Sequence, residues 1–129
     1  MRMSAERPAP KTILLVDDEE DIVKVVGGRL SQWGYQAVVA ANGQEALEAV
    51  RRQPPDLILL DLKMPVLSGR DACHQLKADP KFAGIPVILM TSSAGVAMEE
   101  EQRAIRADGF VLKPFEPAEL LATIQKWIG

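Results

Sequence analysis

Five short apolar runs recur at fairly even intervals along the chain, at residues 12–16, 35–40, 56–60, 86–90 and 109–112. Each run is rich in Val, Ile and Leu and lacks strict alternation with polar residues, a pattern typical of strands that are buried on both faces. The segments between them are long enough for crossover helices. The pattern therefore predicts five buried strands that alternate with helices.

Several of the intervening segments carry helix signals. In the first segment the apolar positions share one helical stripe: Ile22, Val25, Val26, Leu30 and Trp33. Asn42 with Glu45 three residues later resembles a capping box, and Pro117 is placed where the first turn of the last helix tolerates it. Gly27–Gly28 falls inside the first helix, where each glycine costs about 1 kcal/mol relative to alanine. We interpret this pair as a close-packing site or a soft spot.

Strand–helix alternation repeated five times predicts a doubly wound parallel sheet with helices on both faces and right-handed crossovers. In such sheets the functional site lies beyond the carboxyl ends of the strands. Asp17 and Asp18 follow the first run, Asp61 the third, Thr91 the fourth and Lys113 the fifth. Three carboxylates, a hydroxyl and an ammonium group should therefore share one shallow pocket.

This group of side chains predicts a particular chemistry. Three close carboxylates repel one another in a partly desolvated site, and proton uptake or a bound cation relieves the repulsion. A site of oxygen ligands alone suits Mg²⁺, which takes one or two carboxylates together with phosphate oxygens. Lys113 adds a second positive charge. The pocket is thus suited to offset the negative charge of a phosphoryl group while one carboxylate attacks it.

Composition fits one soluble globular domain, because the chain has 129 residues, 26% of them charged and 47% hydrophobic. Because Cys73 is the single cysteine, the chain cannot form an internal disulfide. With His74 as the single histidine, it also cannot build a Cys/His metal framework. A reducing, cytoplasmic location is the simplest expectation. Residues 1–10 contain two prolines and no signal-peptide pattern, so we expect a flexible lead-in; no apolar run reaches membrane-spanning length.

The negative charge of the chain is local. The net charge of -3 comes from 15 Lys and Arg against 18 Asp and Glu, and without the five consecutive acids at 17–21 the balance becomes 15 against 13, or +2. We assign Asp17 and Asp18 to the site, and Glu19, Glu20 and Asp21 to a solvated first helical turn. Because no basic cluster exceeds two residues, direct nucleic-acid binding is not expected.

Five separated motifs occur in the order found in the receiver domain of two-component response regulators, which residues 11–128 resemble. They are Asp17-Asp18 in LLVDDEED, Asp61 in LILLDLKMPVLSG, Thr91-Ser92 in VILMTSS, Phe110, and Lys113-Pro114 in FVLKPF. The resemblance implies a flavodoxin-like (βα)5 sandwich, with a five-stranded parallel sheet in the order 2-1-3-4-5. It places the receiver domain at residues 11–129.

The resemblance also implies roles for the site residues. Asp61 would accept a phosphoryl group from the phosphohistidine of a sensor histidine kinase or a histidine phosphotransfer protein. Asp18 and Asp61 would bind Mg²⁺ with the backbone carbonyl of Lys63, and Asp17 would act mainly through water. Lys113 would hold Asp61 before the reaction and a phosphoryl oxygen after it. The domain would catalyse its own phosphorylation and dephosphorylation, without turnover of an external substrate.

The implied output is a conformational switch. Thr91 would swing toward the phosphoryl group, and Phe110 would rotate into the vacated space. This would change the face formed by the fourth helix, the fifth strand and the fifth helix, which a downstream protein would recognise. Phe110 lacks the hydroxyl of the tyrosine common at this position. The chain would act as a single-domain regulator or as the receiver part of a longer protein, either monomeric or as a phosphorylation-dependent dimer.

Two other functions compete with this interpretation. A Mg²⁺-dependent phosphohydrolase with an aspartyl nucleophile would usually carry Asp-x-Asp after the first strand and an inserted cap domain, and the sequence has neither. A flavodoxin-like cofactor binder would cradle phosphate in its first loop. The acids at 17–21 would repel that phosphate, and no G-x-G-x-x-G motif occurs.

Overall fold

The computed structural model of the chain describes residues 10–62, 67–91, 103 and 106–129. The strands are β1 (Thr12–Val16), β2 (Gln36–Ala40), β3 (Leu57–Asp61), β4 (Val87–Thr91) and β5 (Gly109–Leu112). The described helices are α1 (Glu20–Gln32), α2 (Gly43–Arg52), α3 (Gly69–Ala78) and the C-terminal helix (Pro117–Ile128). The predicted lead-in, Lys63 and the predicted fourth helix lie wholly or mainly outside the described residues.

The five strands form one parallel sheet in the order β2-β1-β3-β4-β5, which confirms the predicted flavodoxin-like fold. β1 and β5 have the predicted bounds. β3 and β4 each end one residue later than the apolar runs indicate, because Asp61 pairs with Met90 and Thr91 pairs with Leu112 in the ladders. Asp61 and Thr91 are therefore the last residues of their strands, where the sequence pattern placed them just beyond.

Two apolar clusters cover the two faces of the sheet. On one face, alternate strand residues such as Leu14, Leu60 and Leu89 pack with the buried residues of α2 and α3. On the other face, residues such as Leu15 and Met90 pack with α1 and the C-terminal helix. The result is a three-layer sandwich in which the helices hold the central strands rigidly.

The central strands are buried as predicted, but the edge strands are not. β1, β3 and β4 are buried at every position. On β2, Val39 is 48% exposed, and on β5, Leu112 is 37% exposed. The prediction of burial on both faces was wrong for these two strands, because an edge strand has a neighbour on one side only and its helices cover it incompletely.

The helix starts follow the sequence signals. Asn42 caps α2 by accepting a 2.9 Å hydrogen bond from the Glu45 backbone N–H, while Glu45 accepts one from the Ala41 N–H at 3.0 Å. Pro117 is the first residue of the C-terminal helix. Of the stripe predicted for α1, Val26 and Leu30 are buried.

The apolar stripe predicted for α1 was wrong at one position, and one of the two interpretations of the Gly27–Gly28 pair is excluded. Val25 is 63% exposed, because the helix contacts the sheet along a narrower stripe than the apolar pattern suggests. A Cβ added at Gly27 or Gly28 would meet no atom within 4 Å, so this pair is not a close-packing site. In the described part of the chain, no helix combines the length and apolar character that a membrane crossing requires.

Candidate functional site

The acidic residues predicted at the strand ends lie together at the carboxyl edge of the sheet. Asp17 follows β1 directly and Asp61 ends β3, and these strands are neighbours. One carboxylate oxygen from each of Asp17, Asp18 and Asp61 lies within 4.8 Å of the others. Asp17 and Asp61 are buried, whereas Asp18 is exposed. The structure thus forms a pocket of three carboxylates with one side open to solvent.

Lys113 brings a positive charge to this pocket from the loop after β5. Its Nζ lies 2.9 Å from Asp17 Oδ2, 3.6 Å from Asp61 Oδ1 and 3.7 Å from Glu19 Oε1. Burial acts to lower the pKa of Lys113, but the hydrogen bond to Asp17 and the charges of Asp61, Asp17 and Glu19 outweigh it, and the pKa is raised. Lys113 is therefore a fixed cation at neutral pH.

Asp17 is held from both sides. Its Oδ2 accepts the Lys113 hydrogen bond, and its Oδ1 accepts a 3.0 Å hydrogen bond from the Glu19 backbone N–H. The Asp17 backbone N–H also donates to the Ala40 carbonyl at 3.1 Å. Both carboxylate oxygens of Asp17 thus already hold protein groups, and this residue anchors the lysine and the start of α1.

Thr91 and Phe110 lie on the same face of the sheet. Thr91 follows Leu89 by two residues on β4, and Leu89 pairs with Phe110 on β5. Phe110 is half-buried and packs against the cluster beneath α2 and α3. The Thr91 carbonyl accepts a 2.6 Å hydrogen bond from the Lys113 N–H, and the Lys113–Pro114 peptide bond is cis. A backbone hydrogen bond thus joins Thr91 to Lys113.

Glu19 lies closer to the pocket than the sequence analysis indicated. It is solvated at the start of α1, as expected, where it is the N-cap residue and makes no capping hydrogen bond with its side chain. Its carboxylate reaches toward Lys113 and is 62% exposed. The position of Glu19 just before the helix turns its side chain toward the pocket. The five-acid run itself gave no signal that separated Glu19 from Glu20.

Gly69 packs against the backbone at the end of β3, and the sequence analysis did not identify it. It begins α3, which Ser68 caps through a 3.2 Å hydrogen bond from the Asp71 N–H. The Gly69 N–H donates to the Leu62 carbonyl at 3.0 Å. A Cβ at Gly69 would collide with the Asp61 carbonyl oxygen. The sequence signal for this contact was the Ser68-Gly69 pair, which follows Asp61 and ends the loop before α3.

The oxygen donors of this pocket fit a divalent cation. Asp17, Asp18 and Asp61 carry three formal negative charges, and Lys113 supplies one positive charge. The three ligand groups that the described residues bring together are carboxylates, and hard cations such as Mg²⁺ prefer oxygen ligands. The remaining excess of negative charge favours a small cation on the exposed side of the pocket. The Lys63 carbonyl, the fourth predicted ligand, lies outside the described residues.

A shallow depression of about 450 Å³ adjoins the carboxylates between α1 and the end of β2. It is lined by Asp17, Asp18, Glu20, Val23, Lys24, Val39 and Ala41. The depression therefore borders Asp17 and Asp18 on the side on which β2 forms the sheet edge.

Comparison with known proteins agrees with this geometry. Residues 13–125 match the family described as the response regulator receiver domain. The chain is 42% identical over 115 residues to the "probable transcriptional regulator ycf27" of Cyanophora paradoxa, a match that covers 89% of this chain and 47% of that protein. The chain spans about half the length of the curated relatives it matches.

Solved structures show the same fold. The chemotaxis protein CheY4 of Vibrio cholerae superposes with a TM-score of 0.86 at 31% identity, covering 92% of this chain and 99% of that one. The receiver domain of a sensor histidine kinase from Pseudomonas aeruginosa PAO1, solved with magnesium in its active-site cleft, gives 0.86 at 33% identity, with coverage of 94% and 99%. Sequence match, sheet order and the acidic pocket agree, and the chain belongs to the response regulator receiver domain family.

Proposed function

We propose that this domain is a phosphorylation-activated switch that accepts a phosphoryl group on Asp61. The observation that carries the proposal is the position of Asp61, a buried carboxylate at the end of β3 that lies close to two other aspartates and 3.6 Å from the Lys113 ammonium. A sensor histidine kinase or a histidine phosphotransfer protein would supply the phosphoryl group from a phosphohistidine. The functional unit would be residues 11–129, and the compartment the cytoplasm.

Asp61 is the best nucleophile among the three aspartates. Asp17 uses one oxygen to hold Lys113 and the other to hold the start of α1, so attack by either oxygen of Asp17 would disturb one of these contacts. Asp18 is exposed and is not among the three carboxylates that form described ion pairs with Lys113. Asp61 has its Oδ1 3.6 Å from Lys113 Nζ, which can follow a phosphoryl oxygen once the covalent bond has formed.

Mg²⁺ would be held by Asp18, Asp61 and the Lys63 backbone carbonyl, with Asp17 acting through water. The engagement of both Asp17 oxygens supports this division of roles. When bound, the ion would neutralise charge on the phosphoryl oxygens. The residues of the chain would orient the Asp61 carboxylate. The hydrogen bond to Asp17 would hold the Lys113 ammonium in its own position beside the metal site.

In the transfer step, an Asp61 carboxylate oxygen forms a bond to phosphorus as the phosphorus–nitrogen bond of the donor breaks. The electron pair of that bond stays with the imidazole nitrogen. Attack of water on the acyl phosphate returns the Asp61 carboxylate and inorganic phosphate. The cycle consumes only the phosphodonor and water, so the domain would act in signalling and catalyse only its own phosphorylation and dephosphorylation.

The output would pass through Thr91 and Phe110. Their shared face and the hydrogen bond between Lys113 and Thr91 connect the pocket to β5. A downstream protein would recognise the face formed by the predicted fourth helix, β5 and the C-terminal helix, and the domain would be a monomer or a phosphorylation-dependent dimer. Because relatives include transcriptional regulators, a protein that contains this domain could act on DNA through a separate effector domain.

Incubation with acetyl phosphate and Mg²⁺ tests the proposal. Intact-mass measurement should show one added phosphoryl group, lost on treatment with hydroxylamine and absent when EDTA removes the metal. Asp61→Asn should abolish the adduct, while the exposed control Asp71→Asn should retain it. An adduct that persists in Asp61→Asn would overturn the assignment. Turnover of the donor without any adduct would instead favour the phosphohydrolase.

A further inference from the structure

Lys113 Nζ lies at nearly equal distances from two carboxylates besides its anchor. Asp17 makes the one short contact at 2.9 Å, while Asp61 Oδ1 is 3.6 Å and Glu19 Oε1 is 3.7 Å away. An ammonium group has three hydrogens. The hydrogen bond to Asp17 is formed, whereas Asp61 and Glu19 lie at ion-pair distance and beyond hydrogen-bond distance, so both of these carboxylates attract the same cation.

The two competing carboxylates differ in environment. The Asp61 side chain is 12% exposed, and the Glu19 side chain is 62% exposed. Glu19 makes no capping hydrogen bond to α1, so its side chain has no part in starting the helix. The carboxylate of Glu19 is therefore available to interact with Lys113, and it also adds negative charge at the entrance to the pocket.

We propose that Glu19 is a positioning residue that competes with Asp61 for the Lys113 ammonium and thereby slows phosphoryl transfer from small anionic donors. The inference rests on the proposed function of Asp61. Before the reaction, Glu19 draws Nζ away from the acceptor. As the phosphoryl group arrives with its negative charge, Nζ must leave Glu19 to follow a phosphoryl oxygen. A donor that binds the domain by contacts of its own would be less affected than a small anion.

The expected effect is moderate because Glu19 is largely solvated. Loss of this largely solvated ion pair with Lys113 should raise the rate roughly threefold at low ionic strength. In concentrated salt the Debye length shortens to a few ångströms, and the acceleration should fall below about 1.5-fold. If Glu19 instead helped to maintain the pocket, its removal would lower the rate of phosphorylation.

The experiment measures the initial rate of phosphorylation by acetyl phosphate with saturating Mg²⁺ in four proteins: the native sequence, Glu19→Gln, Glu19→Asp and Asp21→Asn. Asp21 is the matched control, because it is an exposed acid in the first turn of α1, does not line the depression beside the carboxylates and has no ion pair with Lys113 among the described contacts. The expected order is Glu19→Gln fastest, Glu19→Asp intermediate, and Asp21→Asn close to native. Circular dichroism checks that all four proteins are folded.

The outcomes separate this inference from the proposed function. If Glu19→Gln is no faster than Asp21→Asn, the competition does not exist. If Glu19→Asp equals the native protein while Glu19→Gln is faster, Glu19 acts by long-range repulsion and not through contact with Lys113, and the inference is overturned. If no protein forms an adduct at Asp61, the phosphoacceptor assignment itself fails and the inference fails with it.

Discussion

Lys113 Nζ donates a 2.9 Å hydrogen bond to Asp17 Oδ2, although 96 residues separate them in the chain. The Asp17 side chain is fully buried, and that of Lys113 is 15% exposed. The pair ties the loop after β5 to the end of β1 across the intervening strands β3 and β4. It fixes a positive charge within the acidic pocket and leaves Asp17 little capacity for other ligands.

Lys113→Met should tighten Mg²⁺ binding while it slows phosphorylation. The ammonium group and a divalent cation are attracted by the same carboxylates, so removal of one strengthens binding of the other. We expect Mg²⁺ affinity to rise about threefold to tenfold, measured by isothermal titration calorimetry. Lys126→Met, on the exposed side of the C-terminal helix, is the control and should leave affinity unchanged. Weaker binding in Lys113→Met would show that the lysine does not compete with the metal.

Gly69→Ala should destabilise the fold and disturb the pocket. The new Cβ would collide with the Asp61 carbonyl oxygen, and backbone cannot move aside as a flexible side chain can. We expect a loss of about 1–3 kcal/mol in the free energy of unfolding, as for other overpacked sites, measured with urea. Gly84→Ala meets open space and is the matched control. Equal stability of the two variants would contradict the close approach of α3 to β3.

Gly28→Ala should stabilise the protein. Gly28 lies inside α1, where a Cβ meets no atom within 4 Å, so alanine adds helix propensity without a clash. The expected gain in the free energy of unfolding is about 0.5–1 kcal/mol. Urea titration measures it. A destabilised variant would indicate that α1 requires the flexibility of this pair.

The buried thiol of Cys73 should make the stability of the fold depend on pH in the alkaline range. Burial raises the pKa of the thiol from 9.0 to about 11; Lys77 lowers it and Asp108 raises it by smaller amounts. Because the unfolded thiol ionises first, its contribution to stability is complete below pH 9 and declines as pH rises toward 11. Between pH 8 and 10.5 the free energy of unfolding of the native protein should fall by on the order of 2 kcal/mol more than that of Cys73→Ala. Parallel pH profiles of the two proteins would contradict the burial of this thiol.

The parts of the fold that the sequence predicts are those fixed by local patterns. Apolar runs locate the strands, because a central strand of a parallel sheet must be apolar on both faces. Asn42 with Glu45 predicts the start of α2, because its capping bonds span only three or four residues. The convergence of Asp17 and Asp61 follows from strand topology, which the alternation of elements already implies.

The parts that sequence patterns miss depend on contacts distant in the chain. The exposure of Val25 and Val39 depends on which elements lie beside α1 and β2. The contact of Glu19 with Lys113 depends on where α1 begins and on the path of the loop after β5. The requirement for glycine at position 69 depends on how closely α3 approaches the end of β3. None of these leaves a periodic signal in the sequence.

The most direct test of the central claim is to locate the phosphoryl group. After reaction with acetyl phosphate and Mg²⁺, hydroxylamine converts an aspartyl phosphate to a hydroxamate that remains on the modified residue, and peptide mass spectrometry identifies that residue. The account predicts the hydroxamate at Asp61. A hydroxamate at Asp17 or Asp18, or none at any residue, would contradict it.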